Sequence, residues 1–350
     1  MYRSAIRRSG YFFTVLVAGL IMLGPTEHDR AFAESGADGT HLFRIGTGGA
    51  QGTYFPIGTL IARAITDGDP ACTRRAECGV PNLLAVAQQS NGSVSNVEAI
   101  SAGVLEAGLV QADVAHWAYT GTGVFAEKQK RADIRAIASL YRESVHVVVR
   151  RGSGMVAMED LAGRRVSLDE PGSGTLVDAR IVLDEYELEE RDFKPVYIKP
   201  QFAAEKLTEG TLDAFFIVAG FPTRSVMELT SRNAATLIPV DPDVATRIQS
   251  MYPFLTPSVI PADTYPGVPA TGTLSVYAQL LVSASLSDDL AYKITRELWS
   301  ERTRRLLENG HPKGREIRLE SALQGIPIPL HPGAEKFYRE RGLLSSASRS

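Results

Sequence analysis

The stretch Ile45-Gly-Thr-Gly-Gly-Ala-Gln-Gly-Thr-Tyr-Phe-Pro-Ile-Gly58 decides the fold of this chain. It continues a strand predicted at Leu42–Gly46 and leads into a helical pattern over Tyr54–Thr66. Glycines allow a tight turn in which several backbone N–H groups face one point, and the start of a helix adds the positive end of its dipole. The stretch therefore predicts layered α/β structure with an anion site at the turn, although a tight turn without a ligand fits the same residues.

A second copy of this arrangement lies later in the chain. Pro171-Gly-Ser-Gly-Thr175 follows a strand predicted at Arg164–Leu168 and opens a helix. Its hydroxyls and amides suit a carboxylate or a phosphate, and an ordinary helix cap is the competing interpretation. Neither stretch is a P-loop, and the glycine spacing of the first is only a weak dinucleotide signature. Together the two copies predict two lobes that each present a helix start to one shared cleft.

Polar residues follow two other predicted strands. Ser90-Asn-Gly-Ser-Val-Ser-Asn96 concentrates hydroxyl and amide groups at a strand–helix junction, where such residues also favour caps and turns. Gln111 and Asp113 come directly after the buried run Ala107–Val110. Because α/β proteins bind ligands at the carboxyl ends of strands, both are candidates for the cleft. Asp113 fits either a ligand ammonium or a helix cap.

The N-terminus has the pattern of a signal peptide. Arg3, Arg7 and Arg8 precede the apolar run Tyr11–Leu23, and Ala31-Phe32-Ala33 supplies small residues for cleavage. We therefore expect an exported protein that is cleaved after Ala33, with a short membrane anchor and twin-arginine export as the alternatives. In an exported chain, the only two cysteines, Cys72 and Cys78, predict a disulfide across a small loop.

Composition argues against several classes of protein. The 350 residues include 37 Lys and Arg and 40 Asp and Glu, a net charge of −3 that is spread along the chain, so we expect no nucleic-acid partner. No hydrolase or metalloprotease motif occurs, and the histidines lack metal-ligand spacing. We therefore expect no enzyme, no cofactor and no metal. His146 lies in an apolar run, which indicates a core residue rather than a catalytic base.

Three coarser expectations concern individual elements. The runs Ile134–Leu140 and Val145–Arg150 predict two separate strands. Ser287–Asn309 predicts one long helix that begins at a Ser cap. The proline-rich segment Pro253–Gly272 predicts an extended return path between lobes.

Several motifs then give the chain a family resemblance. They are, in chain order, the opening stretch Ile45–Gly58, Ser90–Asn96, Gln111-Ala-Asp113, Leu140-Tyr-Arg-Glu-Ser-Val-His146, Pro171–Thr175, Asp213-Ala-Phe-Phe-Ile-Val-Ala-Gly220 with Pro222, and Leu330-His-Pro-Gly-Ala334. In order and spacing the chain resembles the TAXI (TRAP-associated extracytoplasmic immunogenic) solute receptors of tripartite ATP-independent periplasmic transporters. One departure is Ser90-Asn91-Gly92-Ser93, where the family commonly has Thr-Gly-Gly-Ser.

The resemblance implies a type II periplasmic-binding-protein fold, in which two α/β lobes joined by a two-stranded hinge close on a ligand cleft. We expect a signal peptide at 1–33, a discontinuous first lobe at 34–148 and 250–343, a second lobe at 149–249, and a frayed tail at 344–350. The implied function is periplasmic capture of a small anionic solute, a glutamate-like amino acid or a dicarboxylate, for a TRAP-type membrane permease. We expect a monomer.

Combining the resemblance with the glycine-rich turns assigns eleven candidate ligand-binding residues. They are Thr47, Gly48, Gly49, Thr53, Tyr54, Ser93, Asn96, Gln111, Ser173, Gly174 and Thr175. Two other functions fit the same residues. One is a ligand sensor for a signalling partner, and the other is an exported enzyme that uses the glycine-rich turns for phosphate.

Overall fold

The structure, a computed structural model, describes residues 39–68 and 78–345. The predicted signal peptide and Cys72 lie outside these residues, so export and the Cys72–Cys78 disulfide stay predictions. Cys78 itself is buried. None of the helices in the described ranges is long and apolar enough to span a bilayer.

The first lobe is an α/β layer built from both ends of the chain. Its strands are β1 (His41–Gly46), β2 (Leu83–Gln88), β3 (Ala107–Gln111), the first half of β4 (Ile134–Arg150) and the second half of β10 (Thr271–Ser283). Its helices are α1 (Tyr54–Ile65), α2 (Ser93–Ser101), α3 (Ala112–Thr120), α8 (Asp288–Leu298), α9 (Glu301–Gly310) and α10 (Pro332–Glu340). The strands lie in the order β2-β1-β3-β10-β4, with β10 antiparallel to both neighbours.

The second lobe repeats this plan. Its strands are β5 (Arg165–Ser167), β6 (Lys194–Val196), β7 (Ala214–Ala219), β8 (Ala235–Ile238), β9 (Thr256–Ile260) and the second half of β4, and its helices are α4 (Gly174–Glu185), α5 (Pro200–Thr208), α6 (Arg224–Ser231) and α7 (Pro242–Met251). The order β6-β5-β7-β4-β8 matches the first lobe, because β4 enters antiparallel between β7 and β8 as β10 does between β3 and β4. The two strand–turn–helix copies predicted from the sequence are therefore part of a repeated topology.

Helices cover both faces of each half of the sheet, which explains the near-continuous apolar strands. In β10, Leu280 packs with α1 and α8, whereas the next residue, Leu281, packs with α2 and α3. In β4, Val147 and Val148 divide in the same way between two clusters of the second lobe. Successive strand residues point to opposite faces, so both must be apolar where both faces are buried.

Two strands, β4 and β10, run from one lobe to the other and connect them. The partner of β4 changes from β10 to β7 at Ser144, where Ser144 Oγ and Ser275 Oγ are 2.9 Å apart. The α/β fold of two lobes joined by a two-stranded hinge is thus confirmed, while the exact lobe boundaries stay predictions. The expectation of two strands at Ile134–Leu140 and Val145–Arg150 was wrong. The polar residues between them continue a single strand, because that strand passes from one lobe to the other.

Two other element predictions also need correction. The helix expected over Ser287–Asn309 is two helices, because Ser300 accepts a hydrogen bond from Thr303 N (3.1 Å) and caps a new helix after Trp299. The cap of the first of them, Ser287, is as predicted and accepts from Leu290 N. The return path over Pro253–Gly272 contains the edge strand β9, which pairs with β10.

Candidate functional site

A cavity of about 60 Å³, lined mainly by polar residues and glycines, lies between the lobes. Lobe one contributes the turns after β1 and β2 and the end of β3, and lobe two contributes the turn after β5, the start of α5 and the end of β7. Four helices, α1 and α2 in lobe one and α4 and α5 in lobe two, begin at its wall. Because the first turn of a helix has N–H groups without helical partners, the cavity receives positive dipole ends from both lobes.

The turn before α1 faces this cavity with its backbone. Thr53 precedes the helix but does not cap it, and its Oγ1 donates instead to the carbonyl oxygen of Gly220 in lobe two (2.8 Å). In the reverse direction, Thr223 Oγ1 donates to the carbonyl oxygen of Gln51 (2.8 Å). These two bonds tie the first glycine-rich turn to the other lobe.

The turn before α2 meets the turn before α4 directly. Gly92 has φ +113°, a conformation that favours glycine, and a Cβ there would lie 3.4 Å from Ser173 Cα. Asn91 Nδ2 donates to Pro171 O (3.1 Å), and Ser95 N donates to Gly172 O (3.0 Å). Asn91, the residue that departs from the family pattern, thus lies at the edge of the cavity and bridges the lobes.

The start of α4 carries the hydroxyls predicted for ligand binding. Ser173 Oγ accepts from Leu176 N (3.0 Å), so it does cap the helix, and its hydroxyl also hydrogen-bonds the carboxyl of Asp169 in the cavity wall. Thr175 Oγ1 accepts from Val218 N (3.0 Å). Both the cap and the ligand interpretations of this turn are therefore compatible with its geometry.

Acidic side chains also line the cavity. Burial raises the pKa of Glu143 to about 8, against a smaller lowering by a hydrogen bond from Tyr54. Burial likewise raises the pKa of Asp169 to about 7, and Glu170 N donates to Asp169 Oδ1 (2.8 Å). The only basic side chain among the described lining residues is Lys199, whose Nζ lies 3.2 Å from Glu170 Oε1.

Nine of the eleven predicted residues line the cavity, and two do not. The nine are Gly48, Gly49, Thr53, Tyr54, Ser93, Gln111, Ser173, Gly174 and Thr175. Thr47 donates to Gln88 O (2.7 Å), and Asn96 Nδ2 donates to Thr47 O and Leu109 O (2.8 Å each). Placing these two in the pocket was wrong, because their polar atoms hold β1, β2 and β3 together below it.

Other residues line the cavity that were not predicted from the sequence. Most of them are charged or belong to lobe two. They are Gln51, Gly52, Ser90, Asn91, Gly92, Glu143, Asp169, Glu170, Lys199, Pro200, Gln201, Ile217 and Val218. Asp169 had a usable signal, because it follows a strand directly and precedes the second glycine-rich turn. Glu143 lies in the motif Leu140–His146 that contributes to the family resemblance, but it was not assigned because the sequence divides β4 into two strands at this point.

Gln111 links the cavity to a pair of buried carboxyls. Its Oε1 accepts from Ser93 Oγ (3.3 Å), and its Nε2 donates to Asp178 Oδ2 (2.7 Å) on α4. Asp178 in turn contacts Asp113 on α3. Among the described residues, no group of three or more His, Cys, Asp or Glu side chains is arranged to hold a metal ion.

His146 is a core residue, as predicted. Its ring is 1 % exposed, its Nε2 lies 2.9 Å from Tyr265 Oη, and its Nδ1 lies 2.8 Å from Ser144 O. Burial lowers the pKa of His146 to about 4, so the ring is neutral at pH 7. A neutral ring with Nδ1–H directed at the carbonyl fits both contacts.

Two lobes of matching strand order that close on a polar cavity form the fold of the type II periplasmic binding proteins. The chain belongs to the NMT1-like family, whose model matches residues 45–342.

The chain is similar to several solved structures at low sequence identity. A protein of Bordetella bronchiseptica RB50 is 15% identical with a TM-score of 0.51, over 85% of this chain and 81% of that one. The alkanesulfonate-binding protein SsuA from Xanthomonas axonopodis pv. citri, bound to MOPS, is 17% identical with a TM-score of 0.45, over 85% and 83%. A TctC solute-binding protein from Polaromonas is 15% identical with a TM-score of 0.40, over 77% and 88%. At these identities the likeness concerns the fold alone.

Proposed function

We propose that this protein is a periplasmic solute receptor of the TAXI type. It is exported with cleavage after Ala33, captures a small solute by closing its lobes, and delivers that solute to a TRAP-type membrane permease. One observation carries the proposal: four helix starts, two from each lobe, meet at a small cavity that direct interlobe hydrogen bonds close.

The helix starts supply the anion-binding part of the site. A carboxylate placed between α1, α2 and α4 accepts from backbone N–H groups at these helix starts and from the hydroxyl of Ser173, which then turns away from Asp169. Each charge-assisted bond of this kind contributes about 1.5–3 kcal/mol. Because the donors come from both lobes, the ligand stabilises the closed arrangement over an open one.

The acidic side chains favour an amino acid over a dicarboxylate. One oxygen of Glu143, Oε2, is buried without a hydrogen-bond donor in the described structure, and Asp169 faces the same cavity. A ligand ammonium lowers the raised pKa values of these carboxyls, so that they bind it as ionised acceptors, whereas a second ligand carboxylate needs them to stay protonated. A glutamate-like amino acid therefore fits better than a dicarboxylate.

A thermal-melt panel tests this ligand class. L-glutamate, L-glutamine, 2-oxoglutarate and succinate are each added to the purified mature protein, and at 100 times Kd a true ligand stabilises it by about 2.7 kcal/mol. We expect L-glutamate to raise Tm more than 2-oxoglutarate does, since the two differ in the α-amino group. A larger shift with 2-oxoglutarate or succinate contradicts the ammonium site, and no shift with any compound contradicts the ligand class.

A matched pair of variants locates the ammonium acceptor. Glu143→Gln should weaken L-glutamate binding by about tenfold or more, because a charged hydrogen bond is lost. Binding of 2-oxoglutarate should weaken less. Glu127→Gln, at an exposed position, is the control and should change neither affinity.

The family resemblance supports the permease partner. Uptake of the bound solute into vesicles that carry a TRAP-type permease should require the receptor and an ion gradient, and it should proceed without ATP. Uptake that needs ATP hydrolysis would contradict this partner.

A further inference from the structure

Two buried carboxyls meet at the boundary between the lobes, behind the cavity wall. Asp113 lies on α3 of lobe one and Asp178 on α4 of lobe two, and both are 0 % exposed. Their carboxyl groups are within hydrogen-bonding reach of each other. The pair is therefore completed only when the two lobes lie together.

The hydrogen-bond arrangement around the pair requires a proton. Asp178 Oδ2 accepts from Gln111 Nε2 (2.7 Å), but both Asp113 oxygens and Asp178 Oδ1 have no donor in hydrogen-bond geometry within the described structure. Two carboxylates can only accept, so they cannot bond to one another. A single proton between them makes one group the donor and removes one of the two like charges.

Nearby groups do not supply a countercharge. The titratable side chains that face the pair are Glu143 on β4, an acid that brings no positive charge, and His116 on α3. Burial lowers the pKa of His116, which keeps its ring neutral near pH 7. Lys313 faces Glu143 rather than the pair, and its Nζ lies 2.7 Å from Glu316 Oε1. The amides of Asp113 and Val114 at the start of α3 offset the burial only in part.

We propose that closure of the lobes takes up one proton, which Asp113 and Asp178 then share, so that the proton binds together with the solute. This inference rests on the proposed receptor function, because it needs an open and a closed state. A hydrogen-bonded chain from Tyr54 through Ser93 and Gln111 to Asp178 connects the cavity to the shared proton.

The sign of the pH dependence follows from burial. In the open state the carboxyls face water and have ordinary pKa values near 4. In the closed state burial raises the pKa of Asp178 well above that value, and the pKa of Asp113 also rises. Closure is therefore favoured at low pH and weakens as pH rises towards the closed-state pKa. Between the open-state and the closed-state pKa values, the Kd for the solute should increase by up to tenfold per pH unit.

Calorimetric titration measures the proton directly. The compound that gives the largest melt shift in the panel is titrated into the mature protein at pH 7, in phosphate and in Tris, whose ionisation enthalpies differ. We expect Asp113→Asn to take up about one proton fewer per bound solute than the unmodified protein, because an amide donates to Asp178 without titrating. Asp178→Asn should show the same loss from the other lobe, and it replaces Asp113→Asn should that variant fail to fold.

Two further variants separate this proton from other groups. Asp184→Asn, exposed on the same helix as Asp178, should keep the full uptake. Glu143→Gln should keep the proton of the pair, so a loss confined to Glu143→Gln would overturn the inference. Equal uptake by the unmodified protein and both Asp→Asn variants, with binding intact, would overturn it as well and leave the receptor function standing. If no compound in the panel binds, the proposed ligand class fails and this inference fails with it.

Discussion

At the scale of single residues, Gly174 controls how closely the lobes approach. A Cβ at this position would lie 1.3 Å from Gln111 Oε1 and 2.9 Å from Ser93 Oγ, both in the other lobe. Gln111 cannot move aside freely, because Ser93 and Asp178 hold its two amide atoms. Gly174 has no positive φ, so its backbone conformation does not require glycine. Glycine is required here because the lobes approach so closely.

We expect Gly174→Ala to weaken solute binding by about 30-fold, the equivalent of about 2 kcal/mol for two disrupted hydrogen bonds. The unliganded protein should melt at the same temperature or slightly higher, because alanine suits a helix better than glycine. Calorimetric Kd values and thermal melts measure both effects. Asp184→Ala on the same helix is the control, and unchanged binding in Gly174→Ala would show that the lobes do not approach this closely in solution.

At the scale of elements, the start of α4 has two roles that a single substitution removes together. Ser173 caps the helix and also faces the cavity. Ser287 caps α8 in the same way but lies outside the cavity. It therefore serves as a control that has the cap role and no contact with the ligand.

Ser173→Ala and Ser287→Ala should each lower the free energy of unfolding by about 1 kcal/mol through the lost cap. Only Ser173→Ala should also weaken solute binding, because only its hydroxyl has a ligand to reach. Urea denaturation and calorimetry measure the two quantities on the same samples. Equal affinity in both variants would leave Ser173 with the cap role alone.

At the scale of the whole molecule, the amide of Ser95 reports whether the lobes are together. Ser95 is the third residue of α2, so its N–H has no partner inside the helix. Its acceptor is Gly172 O in the other lobe (3.0 Å). The next amide, Asn96 N, donates to Gly92 O (2.9 Å) in its own lobe and serves as an internal control.

Hydrogen exchange at Ser95 should slow by up to about 100-fold when solute is present at 100 times Kd, because closure pairs this amide. Exchange at Asn96 should change much less. NMR detection of exchange resolves the two neighbouring amides. Equal changes at both would indicate that the solute stabilises lobe one alone and does not close the cleft.

The sequence by itself determined the features that depend on local conformation. The glycine-rich turns at Gly46–Gly58 and Pro171–Thr175 predicted two strand–turn–helix units, because tight turns and helix starts need particular residue types at consecutive positions. Seven of the nine candidate residues that line the cavity come from these turns, and Ser93 and Gln111 come from the polar residues that follow β2 and β3. Thr47 and Asn96 failed because a sequence pattern places a residue near a turn but does not tell which way its side chain points.

Only the tertiary structure decided the electrostatics of the cleft. Glu143 lies inside a strand, and Asp113 and Asp178 come from different lobes, so no local pattern brings them together. Gln111 and Asp178 are 67 positions apart in sequence and 2.7 Å apart in space. A carboxyl acquires an altered pKa from burial and from neighbours that folding assembles, and neither exists in the unfolded chain. The glycine turns therefore mark where the lobes meet, and the packed lobes determine which charges and protons the cleft holds.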